Sequence, residues 1–128
     1  MTAAERAAER ILREKDALAQ ETTDALYGER PQLLERYGET GRQKCREDLR
    51  YNLEHLAPAL ALGEPALFEG YLRWLAGLLA ARRIPTQEIA RSLVLTADAI
   101  ARRFPADEAD AARAMLAAGL RVLDADGP

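Results

Sequence analysis

Helical periodicity, interrupted by glycine and proline, is the feature that most constrains how this chain can fold. Apolar residues recur three and four positions apart along most of the 128 residues, and no segment alternates with period 2. This spacing predicts amphipathic helices and no sheet. Hydrophobic residues make up 48% of the chain, which is enough for one real core at this length. We therefore expect one all-α domain over residues 1–128.

Glycine, proline and capping residues predict where the helices begin and end. Thr2 and Glu5 have the spacing of a capping box, which starts a first helix that continues to about Tyr27. Further helical segments are predicted over 32–36, 40–62, 65–81 and 86–104, with Thr86 as an N-cap, and after residue 105. Pro58 lies inside the long central helix, so a kink or break is expected over 54–57.

The expected architecture contains about five to seven helices of unequal length. Such helices form either an up-and-down bundle or a globin-like packing, and periodicity alone does not choose between them. The kinked central helix and the short connections favour the globin-like arrangement. Residues 124–128 are expected to be frayed.

Charge and composition bear on the partners of the protein. The net charge of −3 and the isoelectric point of about 5.3 argue against nucleic acid as the main partner. No apolar run approaches the ~20 residues of a membrane-spanning helix, and residues 1–11 do not resemble a secretory leader. The single cysteine fits a reducing compartment, so a cytoplasmic location is expected.

A polar stripe runs along the predicted central helix. At about 100° per residue, Cys45, Asp48, Asn52 and His55 fall on one line, beside an apolar line that begins with Leu49. A thiol, a carboxylate, an amide and an imidazole thus lie at the edge of a face that should be buried. Buried polar groups need partners, and a ligand can supply them.

The same segment resembles the phycobiliproteins, and most closely their allophycocyanin α subunits. The resemblance consists of Tyr37-Gly38-Glu39, then five residues, then Cys45, Asp48, Leu49, Tyr51 and Leu53. It extends to Glu29-Arg30-Pro31, to residues 60–64, to Ile84-Pro85-Thr86-Gln87-Glu88 and to residues 107–109. It implies a globin-like fold that holds a linear tetrapyrrole (a bilin) such as biliverdin or phycocyanobilin, in a light-absorbing or light-sensing protein that is not an enzyme.

The resemblance also implies roles for individual residues. Cys45 stands where the family's cysteine forms a thioether with the pigment, and Asp48 stands where a carboxylate accepts hydrogen bonds from the pyrrole N–H groups. Tyr51 and Asn52 occupy pocket-wall positions, with Asn52 replacing an aromatic residue. Glu47 replaces the family's arginine, which leaves Lys44 and Arg46 as the candidates for binding the propionates. In the phycobilisome subunits an extra helix precedes the globin core, and the N-terminal extension looks short for all of it, so a stand-alone protein outside a light-harvesting antenna is expected.

Other interpretations stay open at this point. In most proteins an unpaired cysteine is simply a small buried apolar side chain, and Cys45 can have that role. Asp48 has neighbouring basic residues with which it can form an ion pair. Haem binding would require His55, the only imidazole, which also excludes a site made of several histidines. A pigment-free signalling or interaction domain is the second alternative. Trp74 lies off the apolar stripe of its helix, which makes a homodimer plausible.

Overall fold

The structure, a computed structural model, describes residues 1–126 and contains five α-helices and no strand within that range. In chain order they are α1 (Ala3–Glu29), α2 (Gln32–Leu62), α3 (Pro65–Ala81), α4 (Thr86–Arg103) and α5 (Ala106–Asp126). The all-α prediction and the expected number of helices are confirmed. Helix α5 continues through residue 126, residues 127 and 128 lie outside the described range, and fraying of the last residues stays a prediction.

Most of the predicted helix ends are found in the structure. The backbone N–H of Glu5 donates to Oγ1 of Thr2, and the backbone N–H of Thr2 donates to Oε1 of Glu5, both at 3.0 Å. Gly63 ends α2 in the left-handed conformation, with φ 64°. The predicted N-cap at Thr86 is wrong by one residue, because Pro85 has the extended backbone of a cap and Thr86 is already helical.

The break in the central helix lies at Gly38 and not near Pro58. Gly38 has φ 70° and ψ −175°, so the helical backbone is interrupted between the segments predicted over 32–36 and 40–62, and α2 spans this kink. Glycine adopts this conformation without steric cost. Around Pro58, by contrast, Leu56, Ala57 and Ala59 are buried, and their packing holds the helix together despite the missing N–H.

The core lies where α2, α3 and α5 meet α1 and α4. Phe68 and Leu72 of α3 are fully buried against α5, and Gly119 of α5 makes this approach possible. A Cβ atom added at Gly119 would lie 2.8 Å from the Phe68 ring and closer still to Leu72. Helix α1 packs along α2 and also contacts α4 and α5. This packing leaves a gap beside α2.

Ion pairs connect α1 to the last two helices. The buried Glu108 of α5 accepts a hydrogen bond from Arg10 at 2.8 Å and has Arg6 at 3.6 Å, and the Arg10 bond lowers the pKa of Glu108. Arg102 and Arg103, in the last turn of α4, pair with Glu21 of α1. Among the described helices, none has the combination of length and apolar character that crossing a membrane would require.

Candidate functional site

A cavity of about 320 Å³ opens between α2 and the ends of three other helices. Its size falls in the range of small-molecule sites, roughly 300–1,000 Å³. Its wall is mainly apolar, with a few polar groups. The lining residues are Leu26, Tyr27, Leu33, Tyr37, Gly41, Lys44, Cys45, Asp48, Leu49, Asn52, Leu75, Leu79, Arg82, Ile84, Glu88, Ile89 and Ser92.

Helix α2 supplies the polar line along one wall. Cys45, Asp48 and Asn52 lie three and four residues apart, so successive turns of α2 bring them to the same side. Leu49, on the neighbouring line, is buried and lines the cavity as well. The stripe expected from the sequence therefore faces an open space along these positions.

The Cys45 thiol is half-buried and takes part in no disulfide. Burial raises the pKa of this thiol to about 11, and the nearby carboxylates of Asp48 and Glu88 act in the same direction. A thiol with this pKa is almost entirely protonated at neutral pH, and the thiolate is the nucleophilic form.

The Asp48 carboxyl is half-buried and has no hydrogen bond or ion pair with the residues that the structure describes. Burial raises its pKa, while Lys44 and Arg82 oppose this effect without approaching to ion-pair distance. The pairing of Asp48 with a basic neighbour, considered from the sequence, is thus not found within residues 1–126. A half-buried acid without a protein partner is suited to accepting hydrogen bonds from a ligand.

Asn52 is buried and connects the cavity wall to an aromatic cluster. Its Oδ1 atom accepts a hydrogen bond from the Tyr71 hydroxyl. The Tyr71 ring stacks on the His55 ring with centroids 4.1 Å apart and planes 10° apart. The Tyr51 ring also contacts the His55 ring, at 4.5 Å between centroids, and lies 6.0 Å from the Tyr71 ring.

Two of the six residues predicted to contact the pigment lie away from the cavity. Arg46 is exposed on the side of α2 that faces α1, where its Nη1 donates to Oε1 of Gln20 at 2.9 Å. One residue further along α2 corresponds to about 100° of rotation, which explains why Arg46 departs from the line of Cys45. Tyr51 is 47% exposed and does not line the cavity. Lys44 does line it, with an exposed side chain.

Several lining residues were not identified as site residues from the sequence, among them Tyr27, Arg82 and Glu88. Tyr27 follows the apolar stripe of α1, so nothing distinguished it from the core. Arg82 is at the end of α3, where a cation is usual, and its position on the cavity depends on how α3 meets α2. Glu88 belongs to the turn and helix start already noted in the family resemblance, which was the available signal.

His55 does not line the cavity. Its Nδ1 donates to the backbone carbonyl of Tyr51 at 3.0 Å, and its ring face is covered by Tyr71. An axial haem ligand would have to face a space large enough for the macrocycle. The position of His55 therefore does not favour haem binding.

Comparison with known proteins identifies the family. The family model described as "Phycobilisome protein" matches residues 2–121, which is nearly the whole chain. A search of curated proteins found no match. Phycobilisome proteins are non-enzymatic pigment-binding proteins that bind bilin chromophores covalently. With its globin-like arrangement of helices and this match, the chain belongs to the phycobilisome protein family.

Proposed function

We propose that this protein holds a linear tetrapyrrole, biliverdin or phycocyanobilin, in the cavity beside α2 and acts as a light-absorbing protein. The observation that carries the proposal is the position of Cys45 and Asp48, one helical turn apart on the wall of an open cavity. Asp48 has no protein partner within the described residues, so the carboxylate is available to a ligand. Bound there, a bilin supplies an extended conjugated system that absorbs visible light.

Asp48 is the residue best placed to hold the pyrrole nitrogens. A carboxylate accepts hydrogen bonds from N–H groups, and such bonds are strongest when one partner is charged. The apolar wall formed by Leu49, Leu75 and Ile89 lowers the local dielectric, which strengthens this attraction. The same wall limits twisting of a flexible ligand by packing against it.

Lys44 and Arg82 are our candidates for the propionate groups. Both line the cavity with exposed side chains, so each can place a cation where the ligand meets solvent. Arg46, the other candidate from the sequence, lies on the α1 side of α2. Arg82 therefore takes its place in the proposal.

We propose that contact with Cys45 precedes any covalent attachment and does not require it. With a pKa of about 11, only about one thiol in ten thousand is ionised at pH 7. Addition of the thiol to a pigment double bond is therefore expected to be slow unless a separate enzyme activates it. A free thiol also persists in a reducing compartment, which is consistent with the expected cytoplasmic location.

The open cavity favours the pigment-binding proposal over a pigment-free interaction domain. In the second case we would expect side chains to fill the space beside Cys45 and a basic residue to pair with Asp48. Instead Asp48 borders a cavity of about 320 Å³. The proposal covers pigment binding and the light absorption that the pigment brings, and light sensing is compatible with it.

The experiment compares two acid-to-amide variants on consecutive residues of α2. Purified protein is mixed with biliverdin or phycocyanobilin, and the absorbance spectrum is recorded for wild type, Asp48→Asn and Glu47→Gln. Glu47 is exposed and does not line the cavity, which makes it a matched control. Denaturing gels with zinc-induced fluorescence then report whether pigment is attached through Cys45.

We expect a red absorbance band in wild type and in Glu47→Gln, and a weakened or blue-shifted band in Asp48→Asn. Equal spectra for all three proteins would mean that the pigment binds elsewhere. Absence of a band with either bilin in wild type would refute the proposed function.

A further inference from the structure

A second carboxylate borders the cavity from the wall formed by α4. Glu88 is the third residue of this helix, and its Oε1 accepts a hydrogen bond from Nη1 of Arg30. Its other oxygen, Oε2, is buried and has no hydrogen-bond partner among the described residues. A buried carboxylate oxygen without a donor is unfavourable, and a ligand in the cavity can supply that donor.

Two other buried polar side chains of the cavity wall have hydrogen-bond partners. Asn52 accepts from Tyr71, and the Ser92 hydroxyl donates to the backbone carbonyl of Ile89 at 2.7 Å. Asp48 and Glu88 are thus the two acids that remain available, one on α2 and the other on α4. Two carboxylates that lie on different helices and still lack hydrogen-bond donors suit a ligand that carries several N–H groups and a positive charge.

The charges around Glu88 come from several elements. Arg30 at the end of α1 holds one of its oxygens. The other ionisable groups of the cavity wall are Tyr27 of α1, Tyr37, Lys44, Cys45 and Asp48 of α2, and Arg82 after α3. Lys44 and Arg82 are exposed, so water screens their charges. The Oε2 atom of Glu88 is buried and is screened less.

We propose that Glu88 is a second carboxylate contact for the bound pigment, acting with Asp48 to keep the pyrrole nitrogens protonated, and that Arg30 is its positioning residue. This inference rests on the proposed function. The contact comes from α4, whereas Asp48 is on α2, so the two acids would reach the pigment from different helices. Removing either acid should make the protonated pigment easier to deprotonate, because a nearby opposite charge stabilises the charged form.

A purely structural role for Glu88 is the alternative, since its ion pair with Arg30 joins α1 to α4. The chain offers a matched control for this role. Glu29 accepts hydrogen bonds from Arg91 at 3.0 Å and so also joins α1 to α4, but it does not line the cavity. Glu29→Gln therefore removes a comparable connection without touching the cavity wall.

The first experiment titrates bound pigment with alkali in wild type, Glu88→Gln and Glu29→Gln, and follows the red absorbance band. We expect the midpoint to fall by about one pH unit or more in Glu88→Gln, in line with the usual effect of a close opposite charge. Glu29→Gln should keep the wild-type midpoint. Glu88→Asp, which keeps the charge but shortens the side chain, should give an intermediate value.

The second experiment needs no pigment. The rate at which iodoacetamide alkylates Cys45 is measured below pH 9 in the same proteins. Because the Glu88 carboxylate contributes to the high pKa of this thiol, Glu88→Gln should react faster than both wild type and Glu29→Gln. This result would support a charge that faces the cavity independently of any spectrum.

The outcomes separate the two proposals. If wild type gives no red band, the proposed function fails and the inference fails with it. If wild type binds pigment but Glu88→Gln shows the wild-type midpoint in the alkaline titration, only the role of Glu88 is overturned. Equal midpoint shifts in Glu88→Gln and Glu29→Gln would also overturn it, because they would point to a structural effect. Should Glu88→Gln not fold, the midpoint of Glu88→Asp decides in the same way.

Discussion

The hydroxyl of Tyr71 on α3 donates a hydrogen bond to the side-chain carbonyl of Asn52 on α2. Both residues are only 7% exposed, and Asn52 also lines the cavity. Burial raises the pKa of Tyr71 far above its usual value, so the phenol stays a donor. The bond fixes α3 against the cavity wall and links that wall to the stacked ring of His55.

Loss of the Tyr71 hydroxyl should destabilise the protein more than its volume suggests. Tyr71→Phe leaves Oδ1 of Asn52 buried without this donor, so we expect the free energy of unfolding to fall by about 1–3 kcal/mol. Urea denaturation measures this change. The double variant Tyr71→Phe/Asn52→Leu should recover part of the loss, because neither polar partner is then left alone. If Tyr71→Phe is as stable as wild type, the hydrogen bond from Tyr71 to Asn52 does not contribute to stability.

Gly119 should be intolerant of even a methyl group. A Cβ atom there meets Phe68 and Leu72, so Gly119→Ala is expected to cost about 1–3 kcal/mol of unfolding free energy through overpacking. Gly77 on α3 is the matched control, since a Cβ atom there meets nothing within 4 Å. Gly77→Ala should stabilise the protein by about 0.5–1 kcal/mol through helix propensity. Equal effects at both sites in urea denaturation would refute this account of the core.

The Glu108 ion pairs should make stability depend on pH in the acid range. The hydrogen bond from Arg10 lowers the pKa of Glu108 in the folded protein, so the ionised group favours folding. This contribution is fully present above the unfolded-state pKa of about 4.3 and is lost as pH falls through the folded-state pKa. Glu108→Gln should therefore be less stable than wild type at pH 7, and the difference should shrink below pH 4. A difference that is constant from pH 7 to pH 3 would contradict this assignment.

A homodimer remains a prediction, and Trp74 allows a test of it. The Trp74 side chain is 55% exposed, with exposed Leu67 on the same helix. If these apolar groups form a self-association surface, the protein should sediment as a dimer and Trp74→Gln as a monomer. Leu12→Gln, at a 48% exposed site on α1, should remain dimeric. A monomeric wild type would rule out the dimer.

The sequence predicted most of the fold because its helix ends carry strong local signals. The capping box at Thr2 and the left-handed cap at Gly63 depend on neighbouring residues alone, and both are found. The break at Gly38 falls between the segments predicted separately over 32–36 and 40–62, whereas the break expected over 54–57 from Pro58 is not found. Whether a proline interrupts a helix depends on the packing around it, which local sequence does not report.

Part of the candidate site could also be predicted from the sequence. Cys45, Asp48 and Asn52 are on one helix, so periodicity was enough to bring them together. Arg82 and Glu88 reach the cavity from other elements, and their positions follow from how the helices pack. Consecutive residues of a helix are rotated by about 100°, so Lys44 and Arg46 lie on different sides of α2. Lys44 lines the cavity, whereas Arg46 contacts Gln20 of α1.

The most direct test of the account is an equilibrium titration of the purified protein with biliverdin and with phycocyanobilin, followed by absorbance. The account predicts a saturable red band that reaches its maximum at one pigment per chain, and a weaker band in Asp48→Asn. A spectrum that stays equal to the sum of free pigment and protein, with both bilins, would contradict it.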